Sequence, residues 1–346
     1  MATQQQGQGQ GQLQLPARTK SILVLGAGEL GLAILDAILA HPAFEPGTSR
    51  VTLLVRPNSL NNPSPAQRSQ QALLRSRGVD IIAGDIEASS QSKLAELFAP
   101  FTAVLHAGGM TLPPGTMTKV THAVLEAQVP YYIPWQHGVD YDIIGREGGQ
   151  GMFSEQIDVR ELLRGQHDGR KTDWVIVSCG IFMSFLFEDS WGVVRRIPST
   201  GKETTRDKIQ ITALNSWDDV ITATTAEDIG KCTAALLFTP DAPTNTPVYI
   251  AGDTLTYGAF ADTVEQVVAP LGMEVVRQVW PLSYLRKESE SDPEDKLKRY
   301  RVVFSEGKGL SWPKERTWSA KQGIPMVTVA EYAKRLFSAE GGPSQT

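Results

Sequence analysis

Cysteine is nearly absent: Cys179 and Cys232 are the only two in 346 residues. That excludes a disulfide scaffold, and with no metal-ligand spacing between them a reducing cytoplasm is the expected compartment. No apolar run approaches the roughly 18 residues of a membrane helix. The net charge of -5 carries no basic surplus, which argues against bulk nucleic-acid binding. His41, His106, His122, His137 and His167 are scattered rather than clustered with other ligands, so no metal site is expected. Gly-x-Ser-x-Gly is missing, and with it the hydrolase elbow. Met1 to Gln14 is a Gln/Gly-rich tract without the apolar core of a signal peptide, and residues 1–19 read as a disordered tail.

What is present is organised around Ser21-Ile22-Leu23-Val24-Leu25-Gly26-Ala27-Gly28-Glu29-Leu30-Gly31. A short apolar strand runs into a glycine turn, and Leu32 to Leu39 follow with helical composition. This is G-x-G-x-x-G between strand and helix, the context in which the motif carries weight. Gly26 permits the turn, Gly28 lets a pyrophosphate approach the backbone, and Gly31 lets the helix pack on the strand. Glu29 and Leu30 complete the loop at a helix N-terminus that offers free N–H groups to phosphate.

Short β-rich segments then alternate with helical ones: Val51–Val55, Val79–Ala83, Thr102–His106, Tyr131–Ile133 and Trp174–Val177 read as strands. The alternation predicts an α/β fold with a doubly wound parallel sheet, the Rossmann arrangement. It loosens after Cys179 and returns in a helix from Thr225 to Phe238 and a last strand at Val248–Ile250. The expected division is a dinucleotide domain of residues 20–179 plus 225–252, and a smaller substrate lobe of residues 180–224 plus 253–335. The lobe should close over the carboxyl ends of the strands. Asp292 to Arg301 reads as a solvated, charged helix face.

An NAD site usually has an acid at the end of the second strand. Here Arg56 stands there, able to pair with a 2′-phosphate, and points to NADP(H). Asp85 follows the third strand and lies either near the adenine or in a plain turn. Gly108 and Gly109, after the fourth, would pass under the nicotinamide ribose, where a side chain would collide.

Tyr132-Ile133-Pro134-Trp135-Gln136-His137-Gly138-Val139-Asp140-Tyr141-Asp142, Asp173 to Phe182, and Ala226-Glu227-Asp228-Ile229-Gly230 join the glycine loop and Leu54-Val55-Arg56 in a familiar order. Over roughly residues 20–335 the chain resembles the isoflavone reductase-like and NmrA-like group of atypical short-chain dehydrogenases, particularly its fungal branch. The resemblance implies an NADPH-binding domain, a small substrate lobe and reduction of aromatic or polyketide-like secondary metabolites; a homodimer is compatible with it. Some relatives bind the dinucleotide only as a sensor.

The chain departs from the wider pattern in two places. No tyrosine is followed by lysine four positions on. In Phe153-Ser154-Glu155-Gln156-Ile157-Asp158-Val159-Arg160, Gln156 stands where the reductases resembled have lysine, and an amide supplies no proton at neutral pH. His137, past the fifth strand, is the candidate to protonate or polarise substrate. Tyr141 would orient it or touch substrate, and Gln156 would position substrate or water. Trp135, Phe182, Phe185 and Phe187 are candidates for an apolar wall facing a flat ligand. Three functions are therefore carried forward: an NADPH-dependent reductase, a non-catalytic NADP(H) sensor, and a non-redox isomerase, cyclase or dehydratase.

Overall fold

The alternating segments assemble into one parallel sheet, and the glycine loop follows the first strand of the chain, an interior strand of that sheet. The computed structural model describes residues 17–109, 111–166, 172–197 and 207–339. The tail before residue 17, His167, and residues 198–206 of the turn-rich stretch lie outside the described residues. Ala17–Thr19, assigned to the tail by sequence, is a turn of 3-10 helix held by Arg18, whose Nε donates to the Leu237 carbonyl at 2.8 Å.

In chain order the first six strands are β1 (Ser21–Leu25), β2 (Arg50–Val55), β3 (Val79–Ala83), β4 (Ala103–His106), β5 (Tyr131–Ile133) and β6 (Asp173–Ser178). Four more follow: β7 (Ile181–Phe182), β8 (Val194–Ile197), β9 (Lys208–Leu214) and β10 (Val220–Thr224). The chain then returns with β11 (Thr246–Tyr249) before β12 (Asp253–Thr256) and β13 (Glu274–Trp280). The main sheet runs β11-β6-β5-β4-β1-β2-β3 with every pair parallel. Its order reverses between β1 and β4, so the crevice beyond their carboxyl ends is where an open α/β sheet takes its ligand. Two three-stranded sheets, β12-β10-β7 and β13-β9-β8, stand apart from it. Trp191, Ile209, Ile211, Tyr257 and Phe260 are buried in the hydrophobic cluster around them.

Five helices position the site: α1 (Glu29–Ala40), α2 (Thr116–Glu126), α3 (Ser154–Arg164), α4 (Ala226–Phe238) and α5 (Lys296–Ser305). The charged stretch at 292–301 is not one solvated helix. A helix over Leu282–Ser291 ends, and Asp295 restarts the chain by accepting from Leu297 N at 2.8 Å. The far side of α5 buries Val302, Val303 and Phe304, because it packs on the lobe rather than facing water.

Helix α1 is clamped from two sides by missing side chains. A Cβ on Gly31 would lie 1.9 Å from the Gly26 carbonyl oxygen, and one on Gly230 of α4 would lie 2.4 Å from the Ala33 carbonyl oxygen. Thr225 caps α4 by accepting from Asp228 N, and the buried Asp228 carboxylate accepts from Val327 N at 2.6 Å. That bond ties a distant segment to the same helix.

Gly230→Ala forces a methyl group into backbone that has no room to move, and overpacking of this kind costs about 1–3 kcal/mol. The melting temperature should therefore fall by several degrees in a thermal unfolding scan. An unchanged melting temperature would show that α1 and α4 can separate freely.

Candidate functional site

The strand β1 ends at Leu25, and Gly26 turns the chain with φ +107°, a conformation that favours glycine. Gly28 is extended (φ -80°, ψ -173°) and is the N-cap of α1, yet no side chain caps the first turn. The N–H groups there keep their hydrogen-bonding capacity for an anion. A Cβ added at Gly28 would meet nothing within 4 Å. Gly28 is therefore not needed for packing. It leaves an open cradle in front of a helix N-terminus.

On one side of this cradle lies a groove of about 340 Å³, floored by Gly26, Leu54, Val55 and Gly84 and edged by Arg56 and Glu87. Arg56 lines the groove, but its Nη2 donates to the Glu87 carboxylate rather than projecting free. Asp85 does not line the groove. Its carboxylate accepts from Glu87 N at 2.8 Å and Ala88 N at 3.0 Å, so of its two readings the turn is the one observed. Sequence reasoning missed Glu87, two positions on, because the direction of a turn residue's side chain is set by hydrogen bonds that no spacing encodes.

On the other side lies a cleft of about 870 Å³ between the main sheet and the lobe, and Gly108, Gly109, Thr111 and Leu112 border both cavities. Glu29, Leu30, Trp135, His137, Tyr141, Gln156, Phe182 and Phe185 all line the cleft. Glu29 accepts from the Ser184 hydroxyl at 2.9 Å, linking the loop to the lobe. Phe187 is a correction: it packs on Phe260 and Tyr332, with ring centroids 5.5 and 5.3 Å away, inside the lobe core. Gly109 lines both cavities and also makes room for Trp135, whose indole an added Cβ would strike at 2.0 Å. At Gly108 an added Cβ would meet only Gly26 Cα, at 3.9 Å.

His137 is buried, and neither ring nitrogen has a hydrogen-bond partner among the described residues. Burial, with a further push from nearby His106, lowers its pKa from 6.5 to about 3. The imidazole is therefore neutral at physiological pH. It can polarise an oxygen through its N–H, but it holds no imidazolium proton to give, which removes one of the two roles drawn from the sequence. His106, at the end of β4, is itself lowered to about 4 by burial, against an opposing pull from the Gly108 backbone. Gln156 directs a buried Oε1 that also lacks a partner. Burial raises the Tyr141 hydroxyl above the usual phenol range.

Behind these groups sits a fully buried guanidinium. Arg160 Nε donates to Gln136 Oε1 at 2.7 Å and Nη1 to Asp142 Oδ2 at 2.6 Å, while Gln136 Nε2 donates to the Gln156 carbonyl at 2.7 Å. Asp140 accepts from the Tyr249 hydroxyl at 2.5 Å and lies 3.7 Å from Arg160. The network binds the turn carrying His137 to the helix carrying Gln156. It positions both without entering the cleft's chemistry.

Lys296, Arg299, Tyr300 and Phe304 of α5 complete the cleft wall. They lie about 140 residues beyond Gln156, and the charged composition that marked α5 as solvated hid them. Burial raises the Tyr300 hydroxyl to about 12. Among the described residues no group of three or more His, Cys, Asp or Glu could hold a metal, and no helix is long and apolar enough to cross a membrane.

A dinucleotide fits the arrangement on three counts: the open cradle at Gly28, the uncapped start of α1, and two cavities that share Gly108, Gly109, Thr111 and Leu112. Gly26, Gly28, Gly31 and Arg56 are the residues able to hold it.

Comparisons with known proteins agree with this geometry. The sequence matches the NmrA-like family over residues 18–321. It is 40% identical over 315 residues to an NmrA-like family domain-containing oxidoreductase of Gibberella moniliformis, covering 91% of this chain and 97% of that protein. The fold is similar to that of an isoflavone reductase crystal structure, with a TM-score of 0.69 at 18% identity over 92% of this chain and 99% of that one. It is also similar to leucoanthocyanidin reductase from Vitis vinifera in binary complex with NADPH, with a TM-score of 0.70 at 17% identity over 92% and 99% of the two chains. The match spans most of the chain, including the glycine loop, β2 with Arg56 and the turn at His137. The chain belongs to the NmrA-like family.

Proposed function

We propose that this protein is an NADPH-dependent reductase of a small aromatic or polyketide-derived metabolite. The observation that carries the reading is the continuity of the Gly28 cradle with an aromatic-walled cleft holding two unpartnered neutral polar groups, His137 and Gln156. The 40% identical relative is named an oxidoreductase, and the structure of the Vitis reductase of the same fold is a binary complex with NADPH.

The glycine loop and Arg56 bind the dinucleotide, and the lobe binds the substrate. When bound, NADPH supplies a hydride. Trp135, Phe182 and Phe185 hold a flat ring by area and stacking. His137 donates its N–H to a substrate oxygen, and Gln156 holds that oxygen or a water beside it. Neither group carries an ionisable proton at neutral pH, so the oxygen takes its proton from water entering the cleft. Gln156 in place of a lysine favours a second reading, an NADP(H) sensor without turnover.

Four outcomes test these statements. Gly28→Ala keeps allowed backbone angles, and its Cβ meets no neighbour, yet it intrudes on the cradle. Calorimetry should show NADPH binding lost while the melting temperature stays within about one degree. Binding that survives would place the dinucleotide elsewhere. His137→Ala should cut turnover of aromatic ketones by about a hundredfold with NADPH affinity unchanged; full activity would remove His137 from the site. The pH–rate profile should show no inflection near 6.5, because His137 gains its proton only near pH 3. A limb at 6.5 would identify another acid. Tight binding of NADPH with no conversion across a panel of aromatic ketones and enones would favour the sensor.

A further inference from the structure

Arg56 does not face the groove alone. Its guanidinium is paired with Glu87, and both side chains line the cavity that begins at Gly26. The pair is partly exposed, but the backbone that carries Glu87 is held in place. Glu87 N donates to the Asp85 carboxylate at 2.8 Å, and the Glu87 carbonyl accepts from Lys119 Nζ of α2 at 2.7 Å. With its backbone held on both sides, the residue keeps its carboxylate over the groove. No other hydrogen bond engages that carboxylate among the described residues.

This position matters for the choice of dinucleotide. A 2′-phosphate seeking Arg56 must displace a carboxylate already seated there, and then sits beside it as a like charge. A 2′-hydroxyl meets the opposite situation, because a carboxylate is an acceptor for ribose hydroxyls while Arg56 remains neutralised. Arg56 alone would argue for a strong preference for the phosphate. The pair sets two preferences against each other.

We propose that Glu87 is the cofactor-specificity residue of this site, an acceptor for ribose hydroxyls that weakens the preference of Arg56 for the 2′-phosphate and lets the groove take NADH as well as NADPH. The assignment rests on the dinucleotide site proposed above. Glu87 acts at the adenosine end, so its effect is on binding and not on the reaction.

The test is calorimetric titration of the full chain with NADPH and with NADH at one ionic strength, for the wild type, Glu87→Gln and Arg56→Gln. Melting temperatures of the three proteins establish that each is folded. Glu87→Gln removes the charge at constant shape, and the ratio of NADH to NADPH dissociation constants should rise about five- to tenfold, a range tempered by the solvent exposure of the pair. Arg56→Gln, which leaves Glu87 unpaired, should move the ratio in the opposite direction and favour NADH. Both dinucleotides bound with a ratio unchanged by Glu87→Gln would overturn the assignment and leave the dinucleotide site standing. Failure of the wild type to bind either dinucleotide would overturn both.

Discussion

The close contact of helix α1 with the turn that precedes it is the constraint on which the rest depends. The Gly26 carbonyl occupies the space a side chain at residue 31 would need, and the Ala33 carbonyl occupies the space a side chain at residue 230 would need. Backbone packed on backbone leaves α1 little freedom to shift. Its N-terminus therefore points at one fixed place beyond β1, where the sheet order reverses. A helix end can attract phosphate only if it is aimed, and here the aim comes from two absent methyl groups. Gly28 differs in kind, because nothing in the protein fills the space beside it.

From that fixed point the site extends both ways, and electrostatics treats the two ends differently. The groove end is exposed and charged, so Arg56 and Glu87 interact through partial screening and can exchange partners at modest cost. The cleft end combines buried neutral groups with charged side chains on its walls, Lys296 and Arg299 among them. Burial strips His137 and His106 of their protons, and raises the phenols of Tyr141 and Tyr300. The buried guanidinium of Arg160 close behind is tied to Gln136, Asp142 and the buried Asp140 rather than turned toward the cavity. A site built this way offers directed hydrogen bonds and apolar surface. It suits a reaction in which the ligands bring the reactivity and the protein supplies alignment.

Much of this was readable from residues in order. The glycine loop, the strand alternation and Arg56 at the end of β2 are local features whose physics lies within a few positions, and the parallel sheet follows from them. Other features needed three dimensions. Asp85 and Glu87 are two residues apart in one turn, and only the hydrogen bonds of the folded turn decide which carboxylate faces the groove. Phe185 and Phe187 share a composition signal, yet one lines the cleft and the other packs under it, since a short helix ends between them. The α5 residues Arg299 and Tyr300 join the site from far along the chain, and their charged surroundings pointed to solvent. The contact that makes glycine necessary at 109, the Trp135 indole, lies 26 residues away and has no local signal.

The most direct test of the whole arrangement is a crystal structure of the protein grown with NADPH. Electron density should run from the groove beside Arg56, across Gly28 at the start of α1, and past Gly108 and Gly109. It should end with the nicotinamide in the aromatic cleft beside His137 and Gln156. Density confined to another surface, or a nicotinamide turned out of the cleft, would contradict the account.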